Sequence, residues 1–484
     1  MVHTDNQGMT TSPAALAHDF SALSLPAHVL ANLTQLGYTS MTPIQAASLP
    51  VALLGKDLIA QAKTGSGKTA AFGIALLANL NARRFAVQSM VLCPTRELAD
   101  QVATEIRRLA RAEENVKVVV LCGGVPLRNQ SASLENGAHI VVGTPGRIMD
   151  HLGRGHLNLE AMNTLVLDEA DRMLDMGFFD DIVTVAKQCP KERQTLLFSA
   201  TYPEGIAKLS QQFMKTPQTI TVQAQHEKTK IIQRWYQVPD SEHDEARLGA
   251  VTQVLRYFRP ASTLAFCNTK SQCRALVAYL KDQGFSALAL FGELEQRERD
   301  QVLVQFSNRS CSVLVATDVA ARGLDINQLE MVINVDVTPD AEVHIHRIGR
   351  TGRADEEGVA ISLASMDEMG YVGKIELLQK AESEWHKLTE LTPTSNEPLL
   401  PPMVTLQIVG GRKEKIRAGD VLGALTGAAG GVPAFTREQV GKINVNEFST
   451  YVAIERSMAS LAQQKLSNGG VKGKSVKVRF MDET

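Results

Sequence analysis

Leu58-Ile59-Ala60-Gln61 followed by Ala62-Lys63-Thr64-Gly65-Ser66-Gly67-Lys68-Thr69 decides how the rest of the chain is read. A short apolar run ends, a loop with two glycines follows, and a helical pattern runs from Thr69 to Leu80. Glycines let successive backbone N–H groups turn inward around a phosphate, and the following helix adds the positive end of its dipole. In that arrangement Lys68 reaches the β- and γ-phosphates and Thr69 offers its hydroxyl to Mg2+. The first position is Ala62, where the general pattern has glycine. A chance Gly-rich turn is the competing reading, and the strand, loop and helix setting speaks against it.

A second strand ends in acid. Asp168-Glu169-Ala170-Asp171 follows Leu165-Val166-Leu167. An aspartate at a strand end beside a phosphate loop is how such ATPases hold Mg2+. Asp168 is the metal candidate, and Glu169 is placed to orient and deprotonate an attacking water. The bland reading is an acidic helix start stabilised by the dipole. Phosphoryl transfer also needs positive charge at the γ-phosphate. His346-Arg347-Ile348-Gly349-Arg350-Thr351-Gly352-Arg353 supplies it. Arg350 and Arg353 are three apart, which on a helical turn puts them on one face. They are candidate arginine fingers across a cleft between domains; the alternative is a basic helix face paired with Asp355 and Glu356.

Both strings sit in a repeating rhythm of apolar runs and amphipathic stretches, the pattern of a parallel α/β sheet. It runs from 18 to 222 and restarts for 235–385. Residues 1–17 read as a disordered extension, 223–234 as a linker and 386–402 as a Pro-rich spacer. The segment 403–484 has strand, helix, strand, helix, strand texture and reads as a small ferredoxin-like α+β domain. The chain has 484 residues, with 50 Lys and Arg against 52 Asp and Glu, a net charge of −2. From Met403 onward twelve basic residues face seven acidic ones, so the tail carries a surplus of five and the remainder −7. An acidic engine with a basic polyanion-binding attachment fits that split. No apolar run reaches the ~18–20 residues of a membrane helix, and the N-terminus lacks a secretory h-region. Six cysteines form no C-x-x-C pair and read as reduced core residues, which predicts a cytoplasmic protein.

Taken together, the strings resemble the DEAD-box RNA helicases of superfamily 2, in order, from about Phe20 to Ala364. The resemblance implies two tandem RecA-like domains, ATP and Mg2+ as cofactors, and RNA as partner. Phe20 and Tyr38 with Gln45 look like the adenine-reading Q motif, Gln45 facing the base. Pro94-Thr95-Arg96, Gly123-Gly124 and Thr144-Pro145-Gly146-Arg147 match RNA-backbone motifs of the first domain. Their residue types suit backbone binding. Arg96 and Arg147 can neutralise phosphates, while Thr144, Gly124 and Gly146 can donate without reading bases. By resemblance, Ser199-Ala200-Thr201 and His346 couple the ATP and RNA sites. Asn268, Gln296, Arg299 and Thr317 face RNA, and Gly323 and Asp325 face the nucleotide. Phe291-Gly292-Glu293 departs from the family's usual His-Gly-Asp.

The tail resembles the RRM-like domain of the bacterial DbpA subgroup, through Gly410-Gly411-Arg412-Lys413-Glu414-Lys415 and Lys472-Gly473-Lys474. The subgroup implies a structured 23S ribosomal RNA partner and large-subunit (50S) assembly. An RRM stacks bases on aromatics of its central strands. Here Val404–Val409 has none and Tyr451 is the one candidate in the other, so Arg412, Lys413, Lys415, Lys472, Lys474 and Lys477 are the expected RNA contacts. The family pattern implies a monomer. The enzyme reading is an ATP-dependent helicase that separates short duplexes. Its rival is an ATP-gated RNA clamp or assembly scaffold; the presence of Glu169, Arg350 and Arg353 favours turnover. A DNA helicase is disfavoured by the Q motif and the RRM-like tail.

Overall fold

The strands of the first domain are runs of four to six residues, β1 (Leu58–Gln61), β2 (Ser89–Leu92), β3 (Val118–Leu121), β4 (Ile140–Gly143), β5 (Thr164–Leu167), β6 (Gln194–Ser199) and β7 (Gln218–Thr221). The computed structural model describes residues 19–63, 65–113, 115–202, 204–222, 231–239, 244–321, 329–352, 357–395, 397–427 and 434–481. The chain divides into two units, with the boundary after Glu227. In the first, the sheet order is β3-β4-β2-β5-β6-β1-β7. Every pairing is parallel. Alternate side chains feed two apolar layers: Leu58, Val91, Val166 and Phe198 into one, Ile59, Met90, Leu165 and Leu197 into the other. A sheet buried on both faces needs such near-continuous apolar runs.

The second unit repeats the plan with β8 (Ile231–Gln237), β9 (Thr263–Phe266), β10 (Ala287–Leu290), β11 (Val313–Ala316), β12 (Met331–Asn334), β13 (Gly358–Ala364) and β14 (Trp385–His386). Their order is β10-β11-β9-β12-β13-β8-β14, again parallel. Two of the sequence boundaries shift. The segment read as a linker, 223–234, gives its last four residues to β8, which pairs with β13 from Ile231 to Gln237. The Pro-rich spacer 386–402 is not free. Leu391 is buried, the Arg259 guanidinium donates to the Glu397 carbonyl at 2.9 Å, and the Thr394 hydroxyl donates to the Tyr257 carbonyl at 3.0 Å. The proposed N-terminal extension, 1–17, lies outside the described residues.

Beyond that strap, β15 (Met403–Val409), β16 (Val440–Val445), β17 (Ser449–Glu455) and β18 (Lys477–Phe480) form an antiparallel sheet in the order β16-β17-β15-β18. Helices Ala418–Thr426 and Ala459–Gly469 cover one face, the ferredoxin-like order expected. The other face docks on the second parallel domain at one corner. Thr405 is 1% exposed; its hydroxyl meets the Ser310 hydroxyl at 2.6 Å and accepts from Asn308 Nδ2 at 3.1 Å. The Met403 N–H donates to the Arg309 carbonyl at 3.2 Å. All six cysteines are free and buried. Among the described residues no helix is long and apolar enough to cross a membrane.

His344, in helix Ala341–Ile348, is buried and stacks on Trp235 at 5.4 Å. Burial first, and the nearby Arg347 charge second, push its pKa down to about 4. Below about pH 6.5 the unfolded chain binds a proton that the fold does not. This group's contribution to stability is therefore present above about pH 6.5 and lost on the way down to about 4. The loss is up to about 3 kcal/mol. Both tryptophans of the chain, Trp235 and Trp385, lie 5.8 Å apart beside it and report on this unit. Denaturant titrations followed by tryptophan fluorescence at about pH 7 and about pH 5 bracket most of that window. They should show a drop for the natural chain that His344→Phe does not share. An equal drop in both would remove His344 as the cause.

Candidate nucleotide and RNA sites

All strands of a parallel sheet end on one edge, and ligands bind there. In the first unit the edge is divided. β1, β5 and β6 lead into the phosphate loop, the acidic string and Ser199-Ala200-Thr201. β2, β3 and β4 lead into Pro94-Thr95-Arg96, Gly123-Gly124 and Thr144-Pro145-Gly146-Arg147.

The phosphate loop wraps on itself. Gly65 and Gly67 have φ of +80° and +93°. A Cβ on Gly67 would stand 2.6 Å from Gln45 Nε2, so glycine is required on two counts. Lys68 is buried at the start of helix Lys68–Ala78, its ammonium donating to the Ala62 carbonyl at 2.8 Å. Ala62 is buried, Lys63 and Gly65 are exposed, Thr69 is half-buried, and the Ser66 hydroxyl is enclosed with no hydrogen-bond partner among the described residues. Thr64 lies outside the described residues. An enclosed hydroxyl and a cationic loop with inward glycines suit an anion.

Gln45 is buried and already engaged. Its Oε1 accepts from the Thr42 N–H at 2.9 Å and its Nε2 donates to the Gly67 carbonyl at 3.1 Å. One donor and one acceptor position of the amide remain. Phe20 is a core residue, edge-on to Tyr38 at 6.2 Å. The Tyr38 hydroxyl donates to Glu105 at 2.5 Å, and burial with this partner pushes its pKa up.

Asp168 and Glu169 are both buried. Burial, then the Glu169 charge, push the Asp168 carboxyl up to about 7, against the opposing pull of Lys68. A crowded acid of this kind fits a divalent cation. Glu169 sits at φ +50°, ψ +51°, left-handed backbone held at the start of helix Ala170–Asp175. Its carboxylate pairs with the buried Arg172 guanidinium at 2.8 Å, which fixes its direction. Asp171 turns the other way. Its Oδ2 accepts from the Ala200 N–H at 3.1 Å, the Thr201 N–H at 2.9 Å and the Thr201 hydroxyl at 3.0 Å. The Ser199 hydroxyl donates to the Thr201 carbonyl at 2.6 Å. One carboxylate thus ties the end of β5 to the end of β6.

On the other half of the edge, two arginines converge on one loop. Arg96 donates to the Gly123 carbonyl at 3.2 Å, and Arg147 to the Val125 carbonyl at 2.9 Å and Gln130 at 2.8 Å. Thr95 caps helix Arg96–Leu109, accepting from Leu98 N–H at 3.3 Å, and Thr144 with Pro145 begins helix Pro145–Gly153. Pro94 is buried, whereas Gly124 and Gly146 are exposed. The arginines position the loop and the glycines leave room for a backbone to approach.

In the second unit the matching strings follow β9, β10 and β11, and one buried arginine joins those after β9 and β11. Arg347 donates from Nε and one terminal nitrogen to the two Asp318 oxygens, both at 2.7 Å. It also reaches the Asp336 carbonyl at 2.8 Å and Asn268 Oδ1 at 3.0 Å, with Phe266 stacked at 5.1 Å. Asn268 and Thr317 sit around this hub at the ends of β9 and β11. After β10, Gln296 begins helix Gln296–Ser307 and bonds Asp300 at 2.6 Å, while Arg299 donates to the Ala320 carbonyl at 2.8 Å. Glu293, in the departing Phe-Gly-Glu string, pairs with Lys270 at 2.5 Å.

Arg350 lies beyond the end of its helix. Helix Ala341–Ile348 ends before Gly349, Thr351 bridges to Leu329, and Gly352 turns at φ +67°. Gly349 follows the helix directly, and Thr351 is held by its isolated bridge to Leu329. Arg350 is buried and His346 half-buried. Arg353, Gly323 and Asp325 lie outside the described residues. Reasoning from sequence did not single out Asp171, Arg172 and Arg347, which the structure places among the candidate residues. Asp171 and Arg172 stand one turn beyond Asp168, and Arg347 shares a helix face with buried His344 and Ile348, so spacing held a signal for each.

In the tail, Arg412, Lys413, Lys415, Lys472, Lys474 and Lys477 are all exposed. The first three share a tight turn with the 472 loop. The Lys472 ammonium donates to the Lys415 carbonyl at 3.2 Å, and both residues adopt positive φ, +55° and +63°.

Comparison with known proteins agrees with this geometry. Residues 42–209 match the DEAD/DEAH box helicase family, 246–355 the helicase conserved C-terminal domain, and 405–480 the DbpA RNA binding domain. The ATP-dependent RNA helicase DbpA of Escherichia coli is 48% identical over 466 residues, 96% of this chain and 99% of that protein. The DEAD-box ATP-dependent RNA helicase CshA of Geobacillus kaustophilus is 41% identical, over 78% of this chain and 80% of its own. Among solved structures, S. cerevisiae Dbp5 bound to RNA and ADP BeF3 is similar with a TM-score of 0.69 and 29% identity, covering 77% of this chain and 97% of that one.

The Asp171 bridge makes a local prediction. Asp171→Ala removes the acceptor of two backbone N–H groups and one hydroxyl. It should ease opening of the Ala200–Thr201 turn by on the order of 3 kcal/mol. Amide hydrogen exchange should speed up at those two residues and stay unchanged in helix Lys68–Ala78. Unchanged protection at Ala200 and Thr201 would show that the bridge holds nothing.

Proposed function

The chain belongs to the DEAD-box ATP-dependent RNA helicases that carry a DbpA RNA-binding domain, and from that premise we propose how its residues divide the work and which RNA it serves. The observation that carries the reading is the divided sheet edge of the first unit: phosphate-loop and acidic strings after β1, β5 and β6, backbone-binding strings after β2, β3 and β4.

Lys68 leaves the Ala62 carbonyl for the nucleotide phosphates, and the N–H groups from Gly65 to Thr69 cradle them. The remaining donor and acceptor of Gln45 meet the adenine edge, with Phe20 and Tyr38 supporting from behind. Because Gln45 also holds the Gly67 carbonyl, adenine binding and loop shape are linked through one amide. The Thr69 hydroxyl and Asp168 would hold Mg2+, which neutralises phosphate charge when bound. Glu169, aimed by Arg172, takes the proton of the attacking water. Arg350 and Arg353 are assigned to the charge of the transferred phosphoryl group.

Arg96, Gly124, Thr144, Gly146 and Arg147, with Asn268, Gln296, Arg299 and Thr317, serve the sugar–phosphate backbone, so the two parallel domains act on many sequences. Asp171 and Arg347 are assigned to communication between nucleotide and RNA. The first links the acidic string to the Ser199–Thr201 turn, and the second links the helix bearing His346 to the ends of β9 and β11. The tail directs the enzyme to structured 23S ribosomal RNA and large-subunit precursors, as the DbpA relationship suggests. The free, buried cysteines fit a cytoplasmic protein.

Glu169→Gln should keep ATP and RNA binding and lower RNA-stimulated ATPase by about 10²–10⁴-fold, the range of general-base removal. Near-normal steady-state turnover would end the assignment. A chain lacking 403–484 should keep ATPase at high concentrations of any RNA and lose its preference for ribosomal RNA over a scrambled RNA of equal length. Lys474→Glu with Lys477→Glu should weaken capture and lower the log–log salt slope by about one per lost phosphate contact. If the shortened chain keeps the full preference, selection lies in the parallel domains.

A further inference from the structure

The C-terminal sheet does not offer the surface on which an RRM stacks bases. In the β15–β17 register, Thr405, Gln407 and Val409 stand opposite Ala453, Tyr451 and Ser449 on the face away from the helices. Thr405 and Ala453 are buried, the former by Asn308 and Ser310 of the neighbouring domain. Tyr451, the aromatic on a central strand, is 6% exposed. The opposite end of the same face is open. Val409 is 50% exposed, and Lys477, its partner on β18, is exposed as well.

At that open end stands Phe448, 61% exposed, in the turn between β16 and β17. The turn is joined to the basic loop. Gly410 donates to the Phe448 carbonyl at 3.1 Å, Arg412 to Asn446 at 2.8 Å and Lys413 to Glu447 at 3.1 Å, all backbone to backbone. A Cβ on Gly411 would stand 2.3 Å from the Asn446 carbonyl oxygen, so this close approach requires glycine. The Lys413 ammonium lies 4.9 Å from the Phe448 ring centroid and 3.0 Å from the Glu447 carboxylate. A large apolar ring is thus held toward water on a rigid turn, with Arg412, Lys413 and Lys477 on the segments beside it.

We infer that Phe448 is a nucleobase-stacking platform, taking one unpaired base of the bound RNA on its ring while Lys413 and Lys477 meet the flanking phosphates. The inference rests on the reading of this domain as RNA-binding and adds the point at which a base, not the backbone, is held. An aromatic face accepts any base, and a cationic rim favours the phosphate on either side. The burial of Thr405, Ala453 and Tyr451 explains the displacement: with these positions closed, stacking moves to the free end of the sheet.

The test uses the full chain and a 23S ribosomal RNA fragment, with binding followed by fluorescence anisotropy over a range of salt. Phe448→Ala should weaken binding about tenfold to a hundredfold, the range for one lost stacked base, with the salt slope unchanged. Phe448→Trp should bind as the natural chain does, which guards against a folding defect in the alanine variant. Single-stranded RNA carrying 2-aminopurine should lose fluorescence on binding the natural chain and keep it with Phe448→Ala. If Phe448→Ala binds normally while Lys474→Glu with Lys477→Glu binds weakly, the domain holds RNA without this platform and the inference is wrong. If neither set weakens binding, the RNA-binding reading of the domain itself fails.

Discussion

A parallel sheet has one edge on which every strand ends, and both large sheets of this chain are parallel throughout. That constraint places every functional string. Six loops of the first unit emerge side by side in the order β3-β4-β2-β5-β6-β1, so the strings for backbone and for nucleotide fall into two adjacent groups, far apart in sequence. The apolar runs that make the strands also bury them on both faces, which keeps the edge rigid while its loops vary.

Buried ionic groups tie the strand ends of each edge together. Asp171 carries the end of β5 to the end of β6, and Arg347 draws Asn268, Asp318 and Asp336 to one guanidinium. A second arginine, Arg247, binds Asp336 at 2.8 Å and Glu368 at 2.7 Å, so Asp336 sits between two cations. Buried pairs are weak contributors to net stability against an apolar alternative, but losing one partner strands the other. What they provide is a discrete arrangement. A carboxylate with three fixed donors cannot drift gradually as the loop it holds responds to a ligand, which is what communication between two sites requires.

The C-terminal domain adds a second level. A Pro-rich segment behind a basic module suggests a tether, whose effect is to raise local concentration. The structure instead packs that segment and seals the corner of the small sheet through Thr405, Asn308 and Ser310. A docked module holds its RNA in a fixed place relative to the domain that bears it.

Much was legible in the order of residues alone. The phosphate loop, the acidic strand end and the alternation of runs pointed to both parallel domains, because these depend on local chemistry and on a period visible within a short stretch. In the tail the edge strand β16 was missed, and β8 was recognised only in part, since their mixed exposure breaks the apolar pattern. The sequence determined which residue types stand where a phosphate or a metal could be held. Only the tertiary structure decided how they are held: that Gln45 holds Gly67, that Arg350 stands beyond the helix and next to the Leu329–Thr351 bridge, that Tyr451 is covered and Phe448 is not. Such facts follow from which distant segments meet, and packing partners far apart along the chain leave no periodic trace in it.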